Sequence, residues 1–339
     1  MNAGPTPPRS LHVFRDADIS PEPLAGAAVA VIGFGAQGRA QALNLRDAGL
    51  AITVGLRRKS PRREQAAADG FRVTEPPAAV RGADVVALLL PDEEQGPFFS
   101  RTVRPKVRPG ALLVFAHGAA ITFGDVAPPE KVDVALVAPM GPGAELRRRY
   151  EQGKGLNAQV AVAHDATGQA WFRALAYARA LGCGRAGVFA TTFAEETRLD
   201  LFSEQAVLCG GVPALAEAAF ETLVAAGYPP ALAYVECIRE LKYIADLIYE
   251  YGLDGMRRRI STAALYGGAT RGPQIIGAEA KAALRTLLAA VEDGSFSREL
   301  KSRGAGREQL LADARNERLE RARAEFERLT GPPDDAGHP

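Results

Sequence analysis

Two pairs of carboxylates stand out as potential chemistry. Asp200 and Glu204 are four residues apart, and so are Glu236 and Glu240. On a helix each pair shares one face, where like charges repel and cost stability. At 100° per residue, Tyr243 and Leu247 fall within about 20° of Glu236, which aims that pair at an apolar face. Val207 shares the face of Asp200 in the same way. Acids directed inward must take up protons or find a partner. A divalent cation is one answer. An all-oxygen donor set suits Mg²⁺ or Mn²⁺ better than zinc, and four carboxylates could hold two ions. The other answer is that these are surface acids neutralised by arginines such as Arg198 and Arg239. Spacing alone leaves both open.

A second group suits a phosphate. Gly33, Phe34, Gly35, Ala36, Gln37 and Gly38 spell G-x-G-x-x-G directly after the apolar run AVAVI and before a helical stretch. Glycines there allow a tight turn and a close backbone approach to a pyrophosphate at a helix N-terminus, which is how a dinucleotide is held. The end of the next apolar run, AITVGL, selects the cofactor. An NAD site usually places an acid there, whereas this chain has Arg57, Arg58, Lys59, Ser60, Arg62 and Arg63, with no acid before Glu64. Guanidinium and hydroxyl donors suit a 2′-phosphate, so NADP is favoured over NAD. A merely solvated basic loop is the alternative.

The elements that must position these groups fall into two textures. Between Leu24 and Val188, short Val/Ala/Leu runs (27–35, 51–56, 83–91, 111–118, 132–139 and 158–164) alternate with helical stretches such as GRAQALNLRDAG, closed by glycine. Continuous apolar runs of that length predict strands buried on both faces of a mostly parallel sheet, and the alternation predicts right-handed βαβ units. The fold class is therefore α/β: an N-terminal Rossmann-type doubly wound sheet over residues 1–190, then an all-α C-terminal domain over 191–330. Residues 1–9, rich in proline, and the tail GPPDDAGHP are expected to be loose.

Composition limits the partners. The 339 residues suit about two domains. Lys+Arg is 41 and Asp+Glu 40, a net charge of +1, which argues against a general nucleic-acid or polybasic membrane partner. Only seven of the 41 cations are lysines. Three scattered cysteines make neither a disulfide framework nor a CxxC metal site. No signal peptide is read, and no apolar run reaches the ~18–20 residues of a membrane span. The expectation is a soluble, cytoplasmic protein.

Together these stretches resemble the ketol-acid reductoisomerases (acetohydroxyacid isomeroreductases), in their short form with a single helical domain. The resemblance runs from about Val13 to about Glu299. It is carried by VIGFGAQGRAQALNLRDAG, LLLPDEEQG, FAHG, APMGPG, TTFAEETRLDLFSEQAVLCGG, ECIRELKYIADLIYEYG and ISTAALYGG. It implies an enzyme of branched-chain amino-acid biosynthesis that takes 2-acetolactate or 2-aceto-2-hydroxybutyrate. Two Mg²⁺ ions chelate the substrate and promote an alkyl shift, and NADPH then reduces the product to a 2,3-dihydroxy acid. The resemblance makes Asp200 and Glu204 ligands of the ions, with Glu236 and Glu240 supplied by the partner subunit of an intertwined homodimer. Assembly beyond the dimer stays open. Ser261 matches a substrate contact and His117 the active-site histidine. Phe34, Gly35, Ala36, Gln37, Arg57, Ser60, Asp92, Glu93, Glu94, Gln95 and Gly143 match cofactor contacts.

The departures lie on the substrate side. Where the family reads A-P-K-G-P-G-H, this chain has Met140 and Ala144, and where it has a substrate-side acid, this chain has Leu265. A thioether carries no charge and moves no proton. The alternative reading is therefore a divergent relative: an NADP- and Mg²⁺-dependent reductase or isomerase of another chelating 2-keto acid.

Overall fold

The apolar runs become the strands of one nine-stranded sheet in a computed structural model that describes residues 11–303 and 306–331. Residues 1–9 and the tail beyond Gly331, both expected to be loose, lie outside the described residues. The strands are β1 (Val13–Phe14), β2 (Ala28–Ile32), β3 (Ala51–Gly55), β4 (Arg72–Thr74), β5 (Val85–Leu88), β6 (Leu112–Phe115), β7 (Asp133–Pro139), β8 (Ala158–His164) and β9 (Val188–Ala190). Their order is β1-β9-β8-β7-β6-β5-β2-β3-β4. From β4 through β7 every neighbour is parallel, while β8 runs antiparallel to β7 and β1 antiparallel to β9.

The strands are apolar throughout because both faces are covered. Val29 and Val31 of β2 enter one core cluster, and Ala30 and Ile32 enter the cluster on the opposite face. Val85 and Ala87 of β5, and Leu112 and Val114 of β6, join the first, while Val86, Leu88, Leu113 and Phe115 join the second. This period of two with no polar phase is the pattern of a sheet sandwiched between helices. Chain order reverses between β2 and β5, so a crevice opens outside the carboxyl ends of those two strands. Ligands bind at such switch points.

The chain divides into two compact units, Met1–Thr197 and Arg198–Pro339. Among its described residues the second unit is helical. Two long helical stretches of this unit are divided. The segment 230–251 carries a π-helical turn at Val235–Arg239, and its following helix, Leu241–Arg257, is kinked at Gly252, where φ is +69°. The charged final stretch splits into Arg307–Asp313 and Glu317–Thr330, because Asn316 caps the second helix by accepting from the Leu319 N–H at 3.1 Å. The small core of this unit centres on Phe220, Ala233, Tyr234 and Ala322. Much of its apolar surface lies outside that core. Leu241–Arg257 has no buried residue, and Tyr243, Tyr249 and Tyr266 are well exposed.

Among the described residues one stretch, Phe193–Ala225, is long and apolar enough to cross a membrane by length and composition. It is apolar only on average, since charged residues such as Asp200 and Glu204 interrupt it, so it contains no apolar run of membrane-spanning length. The stretch is also broken by a π-helical turn at Glu204–Leu208, next to the two acids.

Candidate functional site

Three glycines after β2 do three different jobs. Gly33 has φ +99°, and a Cβ there would meet the Leu89 carbonyl oxygen at 2.4 Å. Gly38 lies against the Gly33 carbonyl oxygen, also 2.4 Å from where its Cβ would stand. Gly35 has nothing within 4 Å. It caps the helix Ala36–Asp47, whose first turn carries no acid, so the exposed N–H groups face an open space fit for a pyrophosphate. Phe34 is buried and packs edge-on against Phe71 at 5.8 Å, which leaves its backbone as the part that can meet a cofactor. Gln37 donates from Nε2 to the Gly141 carbonyl at 2.8 Å. Gly143 is packed in: a Cβ there would stand 2.2 Å from the Ala36 oxygen. Gln37 and Gly143 therefore build the wall of the cradle.

The basic loop after β3 divides its cations. Arg62 donates to the Phe34 carbonyl at 3.0 Å and Arg63 to the Leu56 carbonyl at 2.8 Å, so both are spent on holding backbone. Arg57 is ion-paired with Glu94. Arg58 and Lys59 are exposed, and Ser60 is half-buried. Arg57 and Arg58 line a cavity of about 530 Å³ together with Glu93, Glu94, Phe98 and Arg101. Phe98 and Arg101 escaped sequence reasoning. They come from the far wall, beyond β5, and only the crossover from β4 to β5 brings them opposite the loop.

The run Asp92–Gln95 separates into four environments. Asp92 binds His117, with Oδ2 2.5 Å from Nδ1. Gln95 is buried, and its Nε2 donates to the Leu90 carbonyl at 2.9 Å and to Asp92 Oδ1 at 3.0 Å. Glu93 faces the cavity and Glu94 takes Arg57. A carboxylate accepting from Nδ1–H fixes the histidine tautomer and makes Nε2 the proton-accepting atom of the neutral ring.

Beside His117 the chain closes tightly. The Gly118 N–H donates to Glu196 Oε2 at 2.7 Å. A Cβ on Gly118 would meet Thr197 Oγ1 at 2.5 Å, the Phe193 oxygen at 2.7 Å and Glu196 Oε2 at 2.8 Å. Glu196 is only 2% exposed, a buried acid that sequence reasoning did not single out. Its spacing of four from Asp200 on the helix Phe193–Ser203 was the available signal. That spacing puts Asp200, half-buried, on the same helix face one turn on.

Three of the four predicted acids of the second unit are not aimed into its interior. Glu204, Glu236 and Glu240 are exposed. The expected inward direction is corrected by two facts: the apolar face beside Glu236 is itself solvent-facing in a single chain, and both acid pairs fall at π-helical turns, where 100° per residue fails. Such turns concentrate at functional sites. Among the described residues of this unit, the four acids do not gather three ligand atoms within 4.8 Å of one another. Arg239, the expected partner, stands over the Phe326 ring at 4.8 Å instead of on either acid. Ser261 caps the helix Thr262–Ile275, accepting from the Ala264 N–H at 3.1 Å. Met140 directly follows β7 with its side chain exposed, and Leu265 is exposed as well. The cysteines are poor nucleophiles where the structure speaks to them: burial, then Asp16, pushes the Cys183 thiol up to about 12, and burial, then Glu236, raises that of Cys237.

A doubly wound sheet with an open glycine cradle at its switch point, followed by a helical unit, defines a two-domain oxidoreductase that uses a nicotinamide cofactor. Residues 23–187 match the family model of the acetohydroxy acid isomeroreductase NADPH-binding domain, and residues 193–329 match that of the ketol-acid reductoisomerase C-terminal domain. The chain therefore belongs to the ketol-acid reductoisomerase family. Among solved structures it is similar to an NADH-preferring ketol-acid reductoisomerase from an uncultured archean, at 39% identity and TM-score 0.90, covering 95% of this chain and 100% of that one. A semialdehyde dehydrogenase NAD-binding protein from Cupriavidus necator, at 17% identity and TM-score 0.61 over 79% of this chain and 99% of that one, shares the fold alone.

Proposed function

We propose that this chain rearranges 2-acetolactate or 2-aceto-2-hydroxybutyrate and reduces the product with NADPH to a 2,3-dihydroxy acid, the reductoisomerase step of branched-chain amino-acid synthesis. The observation that carries this reading is the pair Glu236 and Glu240: two neighbouring carboxylates with no ion-pair partner among the described residues, in a family whose other domain binds NADPH. Their donor chemistry, with that of Asp200 and Glu204, fits Mg²⁺. We assign Asp200 and Glu204 of one copy, with Glu236 and Glu240 of a second, as the residues that would hold two ions. When bound, Mg²⁺ supplies Lewis-acid polarisation of adjacent substrate oxygens. The exposed apolar faces of Phe193–Ala225 and Leu241–Arg257 support the homodimer that this sharing requires. Free cysteines at 183, 209 and 237 fit a reducing, cytoplasmic setting.

The chain's own groups do the rest. Residues 33–38 orient the pyrophosphate, and Ser261 stands by for the substrate carboxylate. His117, fixed through Nδ1 by Asp92, would hold or release a proton at Nε2. Arg58 has no side-chain partner among the described residues and lines the cavity beside the cradle, which supports NADPH over NADH although the archaeal relative prefers NADH. Arg58→Ala is expected to raise the NADPH dissociation constant about tenfold while NADH binding stays within about twofold, read by fluorescence titration. An equal loss for both cofactors would remove the 2′-phosphate assignment.

Met140, exposed directly after β7, favours the second reading, a relative that keeps the reductase step alone. A paired assay decides. NADPH oxidation with 2-acetolactate and Mg²⁺ supports the full reaction, whereas turnover of 3-hydroxy-3-methyl-2-oxobutanoate alone leaves only reduction. Met140→Lys restores a proton-carrying side chain and is expected to raise 2-acetolactate turnover about tenfold. No change or a loss would show that this site does not use that proton path.

A further inference from the structure

The last helix, Glu317–Thr330, lies against the segment that carries Glu236 and Glu240. Its Ala322 is buried with Phe220, Ala233 and Tyr234. Phe326 meets the Tyr234 ring at 6.1 Å between centroids and receives the Arg239 guanidinium over its face at 4.8 Å. The helix is anchored at its start by Glu221, which accepts from Arg318 at 2.7 Å and from Asn316 at 3.3 Å.

Arg239 is the cation nearest in sequence to both acids. It directly precedes Glu240 and follows Glu236 by three residues in the same π-helical turn, Val235–Arg239. No ion pair joins it to either acid among the described residues. The guanidinium is instead half-buried on an aromatic face, an arrangement favoured by the ring quadrupole and by the weak hydration of arginine.

We propose that Phe326 is a positioning residue for the metal-binding acids: it sequesters Arg239, so that the carboxylate oxygens of Glu236 and Glu240 stay open to a divalent cation. The proposal rests on the reading of those two acids as metal ligands. Without the ring, Arg239 swings to Glu236 and competes with the ion. The terminal helix then governs metal affinity through one aromatic side chain.

The test is a titration of the full-length protein with Mn²⁺, read by the electron paramagnetic resonance signal of the free ion. Phe326→Ala is expected to raise the Mn²⁺ dissociation constant about tenfold, because one ion pair now competes for the site. Phe326→Tyr keeps the ring and should stay within about twofold of the wild type. The double variant Phe326→Ala with Arg239→Gln removes the competitor and should recover wild-type affinity to within about twofold. If the double variant stays as weak as Phe326→Ala, the loss comes from undocking of the helix and sequestration is overturned. Unchanged affinity in Phe326→Ala overturns it too. If the wild-type protein binds no Mn²⁺, the metal reading itself falls, and the sequestration falls with it.

Discussion

Replacing Asp200 by asparagine is expected to cut 2-acetolactate turnover about a thousandfold at saturating Mg²⁺, the loss of one charged ligand from a Lewis-acid centre. Asparagine keeps the shape of the side chain and removes its charge, so packing along Phe193–Ser203 is preserved. The 2.7 Å bond from the Gly118 N–H to Glu196, which clamps the helix start, does not run through Asp200. Residues 33–38 are also untouched, so the NADPH dissociation constant should stay within about twofold. The two readouts separate chemistry from folding: steady-state turnover falls while cofactor fluorescence titration does not change. Turnover above about a tenth of wild type would remove Asp200 from the metal site. Parallel loss of NADPH binding would mean that the variant had unfolded the cradle, and that Asp200 is a structural residue.

The sheet and the cradle were legible because their physics is local. β2, β5, β6 and β7 are buried on both faces, and continuous apolar runs announce that condition in the sequence. β1, β4 and β9 were not read, because two or three residues carry no period. The antiparallel direction of β8 was not read either, since an apolar run has no polarity and only the connection sets it. In the site, the glycine motif names its own geometry. The run Asp92–Gln95 does not: four adjacent polar residues point around one helical turn, and their partners, His117, Leu90 and Arg57, are chosen by the tertiary fold. Glu196 was hidden for the same reason. What makes it a buried acid is the Gly118 N–H, 78 residues away. The acid pairs were found, but their directions were misjudged, because the helical-wheel argument assumed α-geometry where the chain makes π-helical turns. Their setting also depends on an apolar face that a single chain leaves exposed.

Gly143→Ala is expected to damage the cofactor site from behind. The added methyl would stand 2.2 Å from the Ala36 oxygen, 2.4 Å from its carbonyl carbon and 2.9 Å from the Gln37 nitrogen. All three are backbone atoms in the first turn of the cradle helix, so no side chain can rotate away to make room. The helices Ala36–Asp47 and Gly143–Glu151 must separate at their N-termini, which also breaks the 2.8 Å bond from Gln37 to the Gly141 carbonyl. Overpacking of this kind costs about 1–3 kcal/mol. Where about 2 kcal/mol of that cost falls on the first-turn N–H groups that should meet the pyrophosphate, the NADPH dissociation constant is expected to rise about thirtyfold. Gly35→Ala makes the informative contrast. Nothing lies within 4 Å of a Cβ there, so the unliganded protein should unfold at the wild-type temperature, with only cofactor affinity lost. Thermal denaturation with and without NADPH separates the two cases. Gly143→Ala should lower the midpoint in both conditions, whereas Gly35→Ala should lose only the increment that NADPH adds. If Gly143→Ala melts like wild type and binds NADPH normally, the contact between these two helix starts does not build the cradle.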